Sequence, residues 1–221
     1  MLARSLAVAM LLCAATSAQA APWSVELPDG YVEQPGAADA ELVELRKQEG
    51  TVGVDAQVYA HPDGKSLTRM SWQFRLDAPA TPTMLELIDK GVVSGAAEEG
   101  GKHISDTRQI SGDQLVAESR DEDEGLLVIQ RKLYAVDKSG VMHMLMVVCA
   151  GAPDKIADCE KAQQSMQLTL PNQAPLVSKA AAKAAREARN PPAYLIGKIV
   201  GGVLAAMLIV WLIDRARRRS A

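Results

Sequence analysis

Residues 125–149 read GLLVIQRKLYAVDKSGVMHMLMVVC, and this stretch decides the fold. Its two long apolar runs, 125–136 and 141–149, are separated by the polar sequence DKSG at 137–140. A short turn-forming sequence between two runs rich in Val, Leu and Ile is typical of a β-hairpin. We therefore predict two neighbouring antiparallel strands here.

The same strand signal occurs upstream. Residues 102–110 and 114–120 predict another hairpin, joined by Ser-Gly-Asp. Residues 67–76 alternate apolar and polar side chains, and they follow the turn sequence HPDG at 61–64. Together with 52–58 they predict a third hairpin, because alternation with a period of two places one side of a strand in the core.

Two segments have helical spacing instead. Apolar residues recur every three or four positions over 83–99, which predicts an amphipathic helix capped by Thr83. A second helix is predicted over 153–166, followed by an edge strand over 167–170. Residues 41–48 are ambiguous: they have helical propensity, but the apolar residues at 42, 43 and 45 are followed closely by those at 52–58, which suggests paired strands.

These elements predict an α+β domain in which two helices cover one antiparallel sheet. The opening WSVELPDGY at 23–31 and the closing run from 147 to 168 resemble the PsbP/Mog1-like α/β/α sandwich, a group that includes bacterial DcrB-like envelope proteins. The resemblance covers roughly 21–171. It implies an accessory or assembly protein of the envelope and assigns no site residues.

Three cysteines are present, at positions 13, 149 and 159. Cys13 lies within residues 1–20, a predicted signal peptide that is removed on export. Cys149 and Cys159 therefore remain as a pair. In an oxidising compartment the expected state of such a pair is a disulfide. A redox pair is the alternative, although the spacing is not that of a Cys-x-x-Cys motif.

The N-terminus indicates export. Residues 1–20 contain an early Arg4, an apolar run and a closing Ala-Gln-Ala, which is typical of a cleaved signal peptide. We expect cleavage before Ala21. A lipid anchor at Cys13 is the alternative, but Leu12 stands where the lipoprotein motif has a small residue.

The C-terminus predicts a membrane anchor. Residues 193–213 are almost all apolar, and about 20 such residues span the ~30 Å hydrocarbon core of a bilayer. The tail 214–221 is rich in arginine, which marks the cytoplasmic side. These residues are expected to anchor the span in the lipid bilayer: Tyr194, Trp211, Arg215, Arg217, Arg218 and Arg219. The sequence thus predicts a single-pass protein of a bacterial inner membrane with a periplasmic N-terminal domain.

Small residues in this span recur every four positions, at Gly197, Gly201 and Ala205. Such a stripe lets two transmembrane helices approach closely, so it predicts a homodimer or a helical partner. An apolar helix before an arginine cluster also resembles a C-terminal sorting signal that is cleaved off, with Gly201-Gly202 as the cleavage region.

Charge is strongly segregated between the exported domain and the linker. Residues 21–176 contain 14 Lys and Arg against 25 Asp and Glu, a net charge of −11, whereas 177–193 carry a net +3. The acidic domain at 21–171 is unsuited to nucleic acid. The Ala/Lys/Arg-rich linker at 172–192 can contact lipid headgroups, either as a semi-rigid helix or as a disordered spacer.

No catalytic or phosphate-binding motif occurs in the sequence, so we expect no enzymatic activity and no cofactor. The acidic run 121–124 lacks the spacing of a calcium loop, and it predicts a solvated hairpin tip. The row Met142, Met144 and Met146 predicts core packing, with copper binding as the alternative, and His143 projects to the opposite face.

The leading functional hypothesis is therefore an exported, non-enzymatic module that binds or helps to assemble another envelope protein. A domain that binds a small ligand or metal between sheet and helix is the alternative. Removal of the C-terminal segment after sorting is a third possibility.

Overall fold

The computed structural model describes residues 21–97 and 102–178. This part of the chain forms nine strands, three α-helices and a short 3-10 helix at Pro153–Lys155. The strands and helices are β1 (Trp23–Ser24), β2 (Val32–Glu33), α1 (Asp39–Lys47), β3 (Thr51–Ala60), β4 (Ser66–Arg75), α2 (Pro82–Ala97), β5 (Lys102–Ser111), β6 (Gln114–Asp123), β7 (Leu126–Val136), β8 (Val141–Gly151), α3 (Ala157–Gln164) and β9 (Gln167–Leu168).

Seven of the strands form one antiparallel sheet in the order β2-β3-β4-β8-β7-β6-β5. The hairpin predicted from residues 125–149 is β7–β8, and β8 lies at the centre of the sheet between β4 and β7. The predicted hairpins β3–β4 and β5–β6 are also present. The prediction of an α+β domain built on an antiparallel sheet is confirmed.

Helices lie on both faces of the sheet. The methionine row of β8 packs against α1 and α2 in one buried cluster, whereas Leu145 and Val147 pack against α3 in a second cluster. Neighbouring residues of a strand point to opposite faces, so the two clusters lie on opposite sides of the sheet. Met142, Met144 and Met146 are buried within the first cluster, as core packing requires.

The number of helices was predicted wrongly, because residues 39–47 form α1. Leu42 and Leu45 are three positions apart and bury one helical face, while Val43 between them is 45% exposed. Asp39 and Glu41 in the first turn and Arg46 in the last turn have the charges that suit the helix dipole. The apolar spacing over 42–45 alone could not distinguish this helix from a strand.

Helix α2 begins one residue before the predicted start, at Pro82. Its cap is Thr81 and not Thr83, since Thr81 Oγ1 accepts a hydrogen bond from the backbone N–H of Met84 at 3.0 Å. Proline at the first helical position suits this arrangement, because the N–H that it lacks would have no helical partner. The predicted stop signal at 100–101 lies outside the described residues.

The β6–β7 turn corrects the position of the predicted acidic tip. Strand β6 continues to Asp123, so only Glu124 and Gly125 form the turn, with φ of 48° and 79°. Positive φ at both central residues characterises the tight hairpin turn that matches the twist of antiparallel strands. Asp121 is consequently a strand residue.

The C-terminal strand of the domain pairs with its N-terminal strand. Strand β9 pairs with β1 in a separate two-stranded sheet, so it does not extend the main sheet. The following residues, which the sequence assigns to the linker, hydrogen-bond to the domain through Ala174 N–H to Val136 O and Val177 N–H to Ala80 O.

The assignment of the cap predicts a difference between two neighbouring threonines. Replacing Thr81 with Ala removes the side-chain acceptor at the start of α2, so we expect a loss of about 1 kcal/mol in the free energy of unfolding. Thr83→Ala is the matched control and should change it by less than about 0.5 kcal/mol. Urea unfolding of residues 21–178, followed by tryptophan fluorescence, measures both values. Equal losses in the two variants would contradict the assignment.

Candidate functional site

The predicted disulfide between Cys149 and Cys159 is present. It joins the end of central strand β8 to helix α3, with a Cα–Cα distance of 6.0 Å, and both side chains are fully buried. The bond therefore fixes α3 covalently to the middle of the sheet.

Polar contacts hold the start of α3 on the same side. Lys65 Nζ lies 2.5 Å from Asp158 Oδ2, and the Tyr31 hydroxyl lies 3.3 Å from Cys159 Sγ. Burial, reinforced by the nearby Asp158 carboxylate, raises the pKa of Tyr31. Partial burial acts to raise the pKa of Asp158, but the hydrogen bonds from Lys65 and from the Cys159 N–H, together with the Lys65 charge, outweigh it and the pKa is lowered. At neutral pH the Tyr31 hydroxyl is therefore protonated and Asp158 is ionised.

A groove of about 120 Å³ lies between α3 and strands β6 and β7. Its lining residues are Glu118, Ser119, Arg120, Ile129, Gln130, Arg131, Glu160, Gln163 and Gln164. Gln163 fastens the helix across the sheet, since its Nε2 donates to Ile129 O at 3.0 Å and to Val147 O at 3.1 Å. The Gln163 hydrogen bonds and the disulfide therefore both hold the helix that forms one side of the groove.

Two ion pairs flank this groove. Arg120 Nη2 lies 2.9 Å from Glu160 Oε1 and joins β6 to α3, while Arg131 on β7 pairs with Glu118 on β6. The Arg120 side chain is 51% exposed. Exposed pairs contribute only about 0–1 kcal/mol, so a partner's charged group can replace one member at little cost.

A second cluster of charges lies on the opposite face, beneath α2. The Asp89 carboxylate, 1% exposed, accepts from Tyr134 Oη at 3.0 Å and from Arg108 Nε at 2.7 Å. The Lys132 ammonium is fully buried and lies 2.8 Å from Asp89 Oδ1. This contact is an ion pair without hydrogen-bond geometry. Lys132 Nζ has no hydrogen-bond acceptor among the described residues.

The network continues to the edge of the sheet. Arg108 also pairs with Asp106, which lies 3.2 Å from His103 Nε2, and His103 Nδ1 lies 2.9 Å from Asp121 Oδ1. The hydrogen bond with Asp121 is the main cause of the raised pKa of His103, and Asp106 adds to it. For Asp106, burial acts to raise the pKa, but the hydrogen bonds from His103 and Arg108 lower it overall.

This arrangement favours a structural role for the carboxylates over metal binding. Asp106 and Asp121 contact opposite nitrogens of the His103 ring, so the two carboxylates do not converge on one point. Across residues 21–97 and 102–178, no group of three His, Cys, Asp or Glu side chains is placed to hold a metal ion. His143 lies on the other face and contacts Asp137 at 3.3 Å.

Sequence reasoning missed the network centred on Asp89. The available signals were a charged residue on the apolar side of a helix, next to Ile88 and four positions after Leu85, and a lysine within the strand 125–136. Neither signal identifies a partner, because Asp89 and Lys132 are far apart in the sequence. The groove was missed for the same reason, since α3 and β6 meet only in the folded domain.

The remaining predicted site residues all lie outside the described residues. They are the association stripe Gly197, Gly201 and Ala205, the anchors Tyr194 and Trp211, and the arginines at 215, 217, 218 and 219. Within the part of the chain that the structure covers, no helix is both long enough and apolar enough to cross a membrane.

No protein-family model matches this chain, and no curated protein matches it either. Among solved structures, it is similar to LpqN of Mycobacterium tuberculosis, whose crystal structure is described as that of a protein involved in cell envelope biogenesis. The similarity covers 67% of this chain and 83% of that chain, with 12% sequence identity and a TM-score of 0.38.

Removing the Asp89 carboxylate should strongly destabilise the domain. Asp89→Leu leaves Lys132 buried without an opposite charge, and we expect a loss of about 3–5 kcal/mol in the free energy of unfolding. The double variant Asp89→Leu/Lys132→Met should lose less than Asp89→Leu alone, because it removes the uncompensated ammonium. Urea unfolding of the four proteins in this double-mutant cycle gives the coupling energy. Simple additivity of the two substitutions would contradict the pairing.

The His103 contacts predict a pH dependence of stability. The pKa of His103 is raised in the folded domain above its ordinary value of 6.5, so folding favours the protonated ring. Its stabilising contribution is complete below pH 6.5 and is lost as the pH rises through the higher folded pKa. The stability advantage of the native protein over His103→Gln should thus be larger at about pH 5.5 than at about pH 8.5. Urea midpoints at the two pH values measure it, and an advantage that grows with pH would contradict the assignment.

Proposed function

We propose that this protein is an exported, non-enzymatic interaction module of the bacterial envelope, tethered to the inner membrane by residues 193–213. Its groove beside α3 receives a polar side chain of another envelope protein. The observation that carries the proposal is the groove itself, which lies between a disulfide-held helix and two hydrogen-bonded strands.

The size of the groove supports a protein partner over a free small molecule. Sites for whole cofactors or metabolites commonly have volumes of about 300–1,000 Å³. A volume of about 120 Å³ suits a single side chain presented by a larger surface. Most of the contact area with such a partner would then lie around the groove and not inside it.

The charges around the groove support a polar, exchangeable contact. Glu118 and Glu160 balance Arg120 and Arg131, so the groove has no net charge from these four residues. A partner carboxylate can replace Glu160 beside Arg120 without leaving a buried charge, because this pair is solvent-exposed. We therefore assign the incoming group as the carboxylate of an Asp or Glu side chain.

The rigidity of the groove walls supports recognition. The disulfide and the two Gln163 hydrogen bonds hold α3 in place before a partner arrives. A site that is already ordered loses less conformational entropy on binding. The buried disulfide also supports the expected export, because such bonds persist in oxidising compartments.

Photo-crosslinking in intact cells tests this proposal. A photoreactive amino acid replacing exposed Gln164 at the groove should trap a specific envelope protein, and Arg120→Glu in the same chain should abolish the adduct by repelling the incoming carboxylate. Mass spectrometry identifies the trapped protein and the crosslinked residue.

Two matched controls use exposed residues away from the groove. The same photoreactive residue at Lys90, on α2 and the opposite face, should not give this adduct, and Arg75→Glu should leave the adduct at position 164 intact. If Arg75→Glu and Arg120→Glu reduce the adduct equally, overall charge and not the groove governs binding, and the proposal fails. The absence of any adduct at position 164 also contradicts it.

A further inference from the structure

Strand β5 forms one end of the seven-stranded sheet, and no described strand pairs with its outer edge. Its pairing with β6 is irregular between His103 and Ser105, where Ile104 is 50% exposed, and it is regular from Ser105 to Ser111. The side chains over 105–107 are exposed as well. This regular stretch therefore presents a row of backbone N–H and C=O groups to another chain.

The charges on this edge are arranged around Thr107. Asp106 precedes it and Arg108 follows it, and both point to the α2 face of the sheet, where Arg108 contacts Asp89. When two copies of one strand pair antiparallel by a two-fold axis perpendicular to the sheet, directly opposed residues lie on the same face. Two directly opposed residues must then both have even numbers or both have odd numbers.

Among registers centred within the regular stretch 105–111, only one places opposite charges directly opposite each other. With Thr107 opposite the second copy's Thr107, each Asp106 lies opposite an Arg108, which gives two favourable pairs. Sliding the register by one step in either direction places Asp106 opposite Asp106, or Arg108 opposite Arg108. Opposite charges in directly opposed positions stabilise a sheet, and like charges destabilise it.

We propose that β5 is the docking surface for a second copy of this chain, paired antiparallel and centred on Thr107. The two seven-stranded sheets then form one continuous sheet across the two-fold axis. This contact goes beyond the groove proposed above and uses none of the four charged residues that flank it. It is also separate from the glycine stripe predicted in the transmembrane segment.

Arg108 has unused N–H donors, and Asp106 has unused acceptor sites, for this contact. Arg108 uses Nε for Asp89 and Nη1 for Asp106, whereas a guanidinium carries five N–H donors in total. The remaining donors are available for the second copy's Asp106. Each Asp106 carboxylate has four lone-pair sites and can accept this bond beside those from its own His103 and Arg108.

Cysteine crosslinking of the full chain in native membranes tests the register. In the proposed dimer the two Thr107 Cα atoms are about 4.5–5.5 Å apart, within the range that a disulfide spans, so Thr107→Cys should form dimers under mild oxidation. The two Ser105 residues are about 13 Å apart along the strands, so Ser105→Cys should remain monomeric. The unmodified chain, whose pair Cys149 and Cys159 is already joined, serves as the blank.

A charge exchange at the same position tests the contact without cysteine. Thr107→Lys and Thr107→Glu each place like charges opposite one another, so self-association of differently tagged copies should be lost. Mixing the Lys variant with the Glu variant should restore co-purification. Equal crosslinking at 105 and 107, no crosslinking at 107, or equal co-purification of like and unlike variants would each overturn the proposal.

Discussion

The position of helix α2 depends on one buried carboxylate, that of Asp89. Transferring a charge from water into a protein interior costs several kcal/mol per ion, and only well-placed partners offset that cost. Asp89 obtains them from two strands, with Arg108 on β5 and both Lys132 and Tyr134 on β7. A shift of the helix by one turn would move the carboxylate away from all three. The ion pairs therefore specify where α2 lies, in addition to the apolar contacts of Leu85, Ile88 and Val92.

The opposite face of the sheet is fixed by different chemistry. There a disulfide joins α3 to β8, and the Gln163 amide bridges the carbonyls of β7 and β8. The buried Lys65 ammonium pairs with Asp158 at the start of α3, whereas the ion pairs that flank the groove, Arg120–Glu160 and Arg131–Glu118, lie nearer the surface. The network centred on Asp89 thus lies on one face of the sheet, and the ion pairs of the groove lie on the other. The exchange of contacts that the proposed function requires at the groove would therefore leave the Asp89 network unchanged.

The parts of the fold predictable from sequence are those set by local pattern. Alternating residues and turn sequences predict the hairpins β3–β4, β5–β6 and β7–β8. The disulfide is predictable because only two cysteines remain in the exported domain. Helix α1 was ambiguous because Leu42, Val43 and Leu45 fit both periods, and the exposure of Val43 depends on the tertiary fold. The partners of Asp89, and the joining of β9 to β1, arise from contacts between residues far apart in the chain. Local patterns carry no information about those pairings.

Arg108 connects the interior of the domain with its open edge. Its Nε is committed to buried Asp89, while Nη1 reaches Asp106 on the edge strand, next to His103. A side chain held at its inner end has few rotamers left to lose, so an added contact at its outer end costs little conformational entropy. The buried network consequently prepares the edge for pairing, because it sets the direction of the guanidinium before a second strand arrives. The charge order that selects a single register is therefore presented by a side chain that the core already holds in place.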